Sequence, residues 1–279
     1  MSLILPKVLS PDLSDWSDPL SMAVADRDRD AFAMVGEALR RRRVRLAYQP
    51  VLPARAPARP VFYEGLARVL DATGRAIPAH DFIGAVEAHE TGRILDSVAL
   101  ELGLEALAEN PTLRLSINMS ARSIGYPRWL RTLETALTVD PSIGERLILE
   151  ITESSAMLIP DIVTVFMTDL QARGIRFALD DFGQGFTSFR YLRDFDFDIL
   201  KIDGQFIGGI ASDPDNQVLT RALVSVAGHF GMLTVAEAVE NAADARWLTE
   251  AGIDCLQGYH FAAPTLAPSW ESCDDRRAI

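Results

Sequence analysis

Apolar and alternating runs recur along the chain, with amphipathic stretches between them. Eight runs have the length and the β-branched or aromatic content of strands: LAYQPVL (46–52), FYEGLAR (62–68), LRLSINMS (113–120), RLILEIT (146–152), IRFALDDF (175–182), FDILKID (197–203), LTVAEAV (233–239) and DCLQGY (254–259). Helical periodicity is readable over 80–108, 127–138, 160–173, 214–230 and 241–251, and 187–193 has room for one or two turns. A further helix is expected over about 29–43, where Phe32, Val35, Ala38 and Leu39 share a face. Strands alternating with helices imply a mostly parallel sheet, and eight of them imply closure into an α/β, TIM-like (β/α)8 barrel. The spacing breaks once. Nine residues rich in Pro and Arg separate Leu52 from Phe62, and a parallel crossover needs a dozen or more. The first strand is therefore expected to run antiparallel to its neighbour.

The length of 279 residues suits one barrel, assigned to 29–267 between an N-terminal tail (1–28) and a C-terminal tail (268–279). A net charge of −12 argues against a nucleic-acid duplex as partner, since phosphate binding needs a basic footprint. A small anion remains compatible where cations or metals are concentrated. The run Arg40–Arg43 reads as cations on a helix C-terminus, where the macrodipole favours them. Cys255 and Cys273 lack metal-type spacing and are expected as free thiols. No segment approaches the about 20 apolar residues of a membrane span, and the opening apolar run is too short for a signal-peptide core. The chain is expected to be soluble and cytoplasmic, without a membrane partner.

Polar residues interrupt the apolar runs near the ends where barrel enzymes carry their chemistry. Asn118, Glu150, Asp180 with Asp181, Lys201 with Asp203, Glu237 and Gln257 lie late in their strands. Glu64 interrupts the second strand, with Arg68 two alternations further on the same face. Any one of these could be half of a buried salt bridge. As a set, the carboxylates would repel one another, and Arg68 and Lys201 are too few to offset them. Divalent ions resolve the conflict, and all-oxygen ligands suit Mg²⁺ or Mn²⁺ over zinc. The adjacent aspartates then suggest a two-metal hydrolytic site. His80, His89, His229 and His260 read as structural or surface residues.

From Leu46 to Pro264 the chain resembles the EAL domain, a bacterial phosphodiesterase that hydrolyses cyclic di-GMP to the linear dinucleotide pGpG. The family's signature triplet stands here as Glu64-Gly65-Leu66, with YQP (48–50), NMS (118–120), EITES (150–154), DDFGQGF (180–186), KID (201–203), AEAVE (236–240) and QGY (257–259) in order.

The resemblance implies Glu64, Asn118, Glu150 and Asp180 on one metal, and Asp180, Asp181 and Glu237 on the second. It implies Lys201 beside the attacking water, and Gln49, Leu66, Arg68, Gln257 and Pro264 around the substrate. It makes Glu153 the anchor of a loop from Phe182 to Ser188, to which Gly183 and Gly185 lend freedom, and it implies a homodimer near Phe189, Tyr191 and Leu192. The departures from the family pattern are Gly65, Gln184, Phe186, Thr187, Ala238 and Ala263; none removes an expected metal ligand. Two rivals stay open. One is a receptor that binds cyclic di-GMP without cleaving it and signals to a protein partner. The other is a Mg²⁺-dependent barrel enzyme using Lys201 as a base or Schiff-base amine.

Overall fold

The computed structural model describes residues 19–183, 192–268 and 270. Eight strands close a barrel: β1 (Val44–Pro53), β2 (Phe62–Leu70), β4 (Leu115–Asn118), β5 (Leu147–Thr152), β6 (Arg176–Phe182), β7 (Ile199–Ile202), β8 (Leu233–Ala236) and β9 (Cys255–Leu256). A three-residue strand, β3 (Ala76–Pro78), adds to the outer end of β2. All ring neighbours are parallel except β1, which runs antiparallel to both β2 and β9. The nine-residue linker thus makes a hairpin, as its length requires.

The main helices are α1 (Pro19–Arg40), α2 (Glu90–Glu109), α3 (Pro127–Val139), α4 (Pro160–Gln171), α5 (Pro214–Phe230) and α6 (Ala242–Ala251). Their starts follow local chemistry. Asp213 and Asn241 cap α5 and α6 with side-chain oxygens, and Pro occupies the first turn of α3, α4 and α5. The stretch read as one helix over 80–108 is broken. A single turn, Ile83–Val86, precedes α2, and Gly92 packs so closely that a Cβ there would lie 2.7 Å from the Val86 carbonyl oxygen. Helix α1 begins at Pro19 instead of near 29 and stops at Arg40. Its first half is exposed and so carries no core-facing period to read. Of 187–193, only Leu192 and Arg193 fall among the described residues. No described helix is long and apolar enough to cross a membrane.

Inside the ring the side chains form two layers. Val51, Phe62, Ile148, Ala178, Ile199, Val235 and Cys255 make a compact apolar plug, with the buried Ser116 of β4 paired to Ile148. Two positions further along each segment toward the mouth stands one polar residue: Gln49, Glu64, Asn118, Glu150, Asp180 and Lys201 within their strands, and Glu237 and Gln257 just past the ends of β8 and β9. Because β1 is reversed, its polar residue precedes its apolar one. The fold is a device for standing eight polar groups on one hydrophobic floor.

Candidate active site

Lys201 is at the centre of the polar layer and fully buried. Its Nζ lies 2.7 Å from Glu150 Oε2, 2.7 Å from Glu237 Oε1, 3.0 Å from Asp180 Oδ1 and 3.2 Å from Glu64 Oε2. One ammonium therefore faces four carboxylates. Glu64 is held further: Asn118 Nδ2 donates to its Oε1 at 2.9 Å, and Gln257 Nε2 to its Oε2 at 2.7 Å. Gln257 also donates to Gln49 Oε1 at 3.1 Å, and Gln49 donates to the Ala262 carbonyl at 3.0 Å.

The adjacent aspartates need a special backbone. In a regular strand Asp180 and Asp181 would point to opposite faces. Here the β6–β7 register shifts between Leu179 and Phe182, and Asp181 has φ of 55°. This irregularity turns both carboxylates toward the mouth. Carboxylate oxygens of Asp180, Asp181 and Glu237 lie within 4.8 Å of one another, as do those of Glu64, Glu150 and Asp180. Asp180 belongs to both groups.

The electrostatics show a cluster short of cations. Burial opposes ionisation of Glu64, but the Lys201 charge and its hydrogen bonds outweigh it and hold its carboxyl below the usual range. Glu150 is pushed well above that range by burial and by the charge on Glu64. Burial, with Asp180 and Glu64 against Lys201, pushes Glu237 up to about 8. Burial and then Asp180 push Asp181 to about 6. Despite burial, the four surrounding acids raise the Lys201 ammonium well above its ordinary value. Burial and mutual repulsion thus favour the protonated forms of Glu150 and Glu237, and Lys201 opposes them.

The donor set fits divalent ions. Glu150 Oε1 and Asp180 Oδ1 are buried acceptors that receive no hydrogen bond, the latter lying off the bonding direction of Lys201. Buried acceptors without donors are costly, and a hard cation would satisfy both while replacing the protons.

Two cavities flank the cluster. One of about 240 Å³ is lined by Asn118, Ser120, Thr152, Asp181, Glu87 and Asp96 among others. The other, of about 290 Å³, is lined by Gln49, Glu237, Ala238, Glu240, Gln257 and Tyr259 with Gly258. Neither includes Leu66, Arg68 or Pro264. Arg68 Nη1 donates to the Ala67 carbonyl, and Pro264 follows the segment that receives Gln49. Glu153 stands outside the cluster in the turn Glu153–Ala156 and accepts the Gly183 N–H at 3.2 Å. Glu87, Asp96 and Tyr259 were not singled out from sequence. Tyr259 lies in the quoted QGY block, while carboxylates beside a helix start carry no signal separating them from surface charge.

Ala238, beside Glu237, has φ of 51°, a left-handed conformation that favours glycine. Leu192, expected near a homodimer contact, is buried with 3% exposure; Phe189 and Tyr191 lie outside the described residues, as do Gln184, Gly185, Phe186, Thr187 and Ser188. All four histidines are exposed.

A family model described as the EAL domain matches residues 33–264. The chain is 32% identical over 242 residues to the signaling protein YkoW of Bacillus subtilis, covering 84% of this chain and 30% of the relative. It is 32% identical over 232 residues to the probable cyclic di-GMP phosphodiesterase PdeN of Escherichia coli, covering 81% of this chain and 44% of the relative. The chain thus spans less than half the length of these relatives. The EAL domain of FimX from Pseudomonas aeruginosa, solved bound to c-di-GMP, superposes with a TM-score of 0.76 at 26% identity, covering 85% of this chain and 97% of that one. On the match over most of its length, this chain belongs to the EAL domain family.

Proposed function

We propose that the polar layer hydrolyses one phosphodiester bond of cyclic di-GMP, releasing linear pGpG, with two Mg²⁺ or Mn²⁺ ions. The observation that carries this reading is the pair of carboxylate groups that share Asp180. Family membership and the names of the relatives support the substrate class. The two cavities beside the cluster support a ligand with two equivalent halves.

Glu64, Asn118, Glu150 and Asp180 would hold one ion, and Asp180, Asp181 and Glu237 the other. When bound, such ions activate a water and neutralise charge on phosphoryl oxygens. In the reaction the water oxygen bonds to phosphorus, one phosphorus–ribose oxygen bond breaks, and that ribose oxygen takes a proton. Lys201 offsets negative charge at the centre of the layer, where attack adds more. Asn118 and Gln257 fix the Glu64 carboxylate, so its oxygens are already oriented before substrate arrives. Gln49, Leu66, Arg68, Gln257 and Pro264 would contact or frame the dinucleotide. Glu153 would steady the segment after Asp181. The same reading includes a homodimer.

The test is incubation with cyclic di-GMP and either metal, with chromatography of the products. Linear pGpG should accumulate with the parent chain and be absent with Glu64→Ala. Tight binding without product under both metals would make the chain a receptor acting through a protein partner. Borohydride trapping of a carbonyl substrate on Lys201, without dinucleotide binding, would point to Schiff-base chemistry instead.

A further inference from the structure

The hairpin that joins β1 to β2 supplies no crossover helix for the outer face of the two strands. The chain covers that face with the segment that follows β9. Tyr48 N–H donates to the Thr265 carbonyl at 2.8 Å, and Thr265 N–H donates to the Tyr48 carbonyl at 3.1 Å, forming an isolated antiparallel bridge. Further along, the Trp270 ring stands edge-on to two others. Its centroid lies 4.9 Å from that of Tyr48 and 4.3 Å from that of Tyr63. Packing of this kind is favourable beyond the area it buries.

The place of these tyrosines ties them to the polar layer. Gln49 and Glu64 are directly paired across the hairpin, and Tyr48 and Tyr63 immediately precede them. Alternation sends the tyrosines outward and the pair inward. One indole therefore packs, from outside the barrel, on the residue before each member of the pair. The same segment also holds the Gln49 side chain: Nε2 donates to the Ala262 carbonyl at 3.0 Å. Gln49 Oε1 in turn accepts from Gln257, the donor that orients Glu64. The outer seam is not packed full. A groove of about 540 Å³ runs along it, lined by Tyr48, Pro50, Tyr63, Thr265 and Pro268 among others. With that space open, the indole is what presses the segment onto the hairpin.

We propose that the segment from Ala262 to Pro268, with Trp270, acts as a latch on the β1–β2 hairpin, and that Trp270 is a positioning residue for Gln49 and Glu64. The seated latch fixes the Tyr48 backbone and keeps the chain of bonds from Gln49 through Gln257 to Glu64 in register. Without the indole the hairpin gains freedom at the level where Glu64 stands. A misplacement of about 1 Å at a reacting group can cost roughly 10²-fold in rate. Such coupling is reciprocal, so ions held in the polar layer steady Trp270 in turn. The effect on ions rests on the two-metal reading of the polar layer; the tie between Trp270 and Glu64 does not.

Metal-free chains test that tie. Urea unfolding of the parent, Trp270→Ala, Glu64→Gln and the double variant should show coupling: the effect of Glu64→Gln on the unfolding constant should differ about threefold or more once Trp270 is gone. Calorimetry tests the effect on ions. Trp270→Ala should bind Mn²⁺ about tenfold more weakly than the parent, and Trp270→Phe, which keeps an aromatic ring, should recover most of that loss. Leu137→Ala, a buried change on α3, should lower stability and leave Mn²⁺ affinity alone, which separates positioning from general destabilisation. Mg²⁺ should shift the tryptophan emission of the parent and leave that of Trp270→Phe unmoved. Additive effects in the urea cycle, or parent-like Mn²⁺ affinity in Trp270→Ala, would overturn the proposal. So would emission unmoved by Mg²⁺ in a parent that binds it. A parent that binds neither ion would remove the two-metal reading, and the urea cycle alone would then decide the latch.

Discussion

Glu153 Oε2 accepts the backbone N–H of Gly183 at 3.2 Å, joining the turn after β5 to the chain two residues past the paired aspartates. A hydrogen bond to a charged acceptor contributes about 1.5–3 kcal/mol. Glu153→Ala should weaken Mn²⁺ binding and turnover together, with Glu153→Gln intermediate because it keeps an acceptor of the same reach. Calorimetric titration with Mn²⁺ checks this. Unchanged affinity in the alanine variant would remove Glu153 from the site's support.

Lys201 is the only ammonium or guanidinium recorded in ion-pair contact with Glu64, Glu150, Asp180 and Glu237 among the described residues. Lys201→Met should destabilise the metal-free chain by roughly 3–5 kcal/mol near neutral pH, since buried carboxylates lose their counter-charge. The loss should shrink at low pH, where those acids are protonated, and should shrink again when Mn²⁺ is added. Urea unfolding at two pH values, with and without metal, reads all three effects.

Burial is the main reason that the Asp96 carboxyl is pushed up to about 6, against hydrogen bonds from Ser123 and the Ser120 N–H. A folded value above the unfolded one means that the protonated acid stabilises the fold. That contribution is complete below about pH 4 and lost as pH rises through about 6. Asp96→Asn should therefore be more stable than the parent at pH 7.5 by roughly 2 kcal/mol, and no more stable near pH 4. Its amide oxygen can still accept both bonds, which reach a single oxygen, Oδ2. Equal stability of the two chains at pH 7.5 would contradict the burial argument.

A Cβ on Gly65 would lie 2.7 Å from Cδ1 of Ile117, and that same methyl would lie 2.7 Å from a Cβ on Gly103. The Ile117 side chain fills the room left by both glycines. Gly65→Ala alone should cost about 1–3 kcal/mol through overpacking. Combined with Ile117→Val, which removes the offending methyl, most of that loss should return. Denaturant midpoints of the single and double variants decide the matter.

The barrel and its reversed strand were legible because spacing carries them: eight apolar runs, and one linker too short for a crossover. The polar layer was legible because an inward charge in an otherwise apolar strand is conspicuous. Other features depend on contacts with no local signature. Strict alternation sends Asp180 and Asp181 to opposite faces, and only the register shift after Leu179 brings them together. The first half of α1 is exposed among the described residues, so its apolar residues keep no period and the stretch reads as a tail. Leu192 reads from the resemblance as part of a homodimer contact, yet it turns inward to the core.

The ring closes where the two ends of the barrel sequence meet. Only Leu52 with Leu256 and Pro53 with Cys255 pair β1 to β9. Above them Gln49 reaches Gln257 and Ala262 across 208 and 213 positions of sequence. Contacts so distant along the chain carry a large closure entropy and form late. Gln257 is also the donor that orients Glu64. A polypeptide emerging from the ribosome therefore holds the carboxylates of the polar layer before it can aim Glu64. The geometry of the polar layer is thus completed only with the final strand.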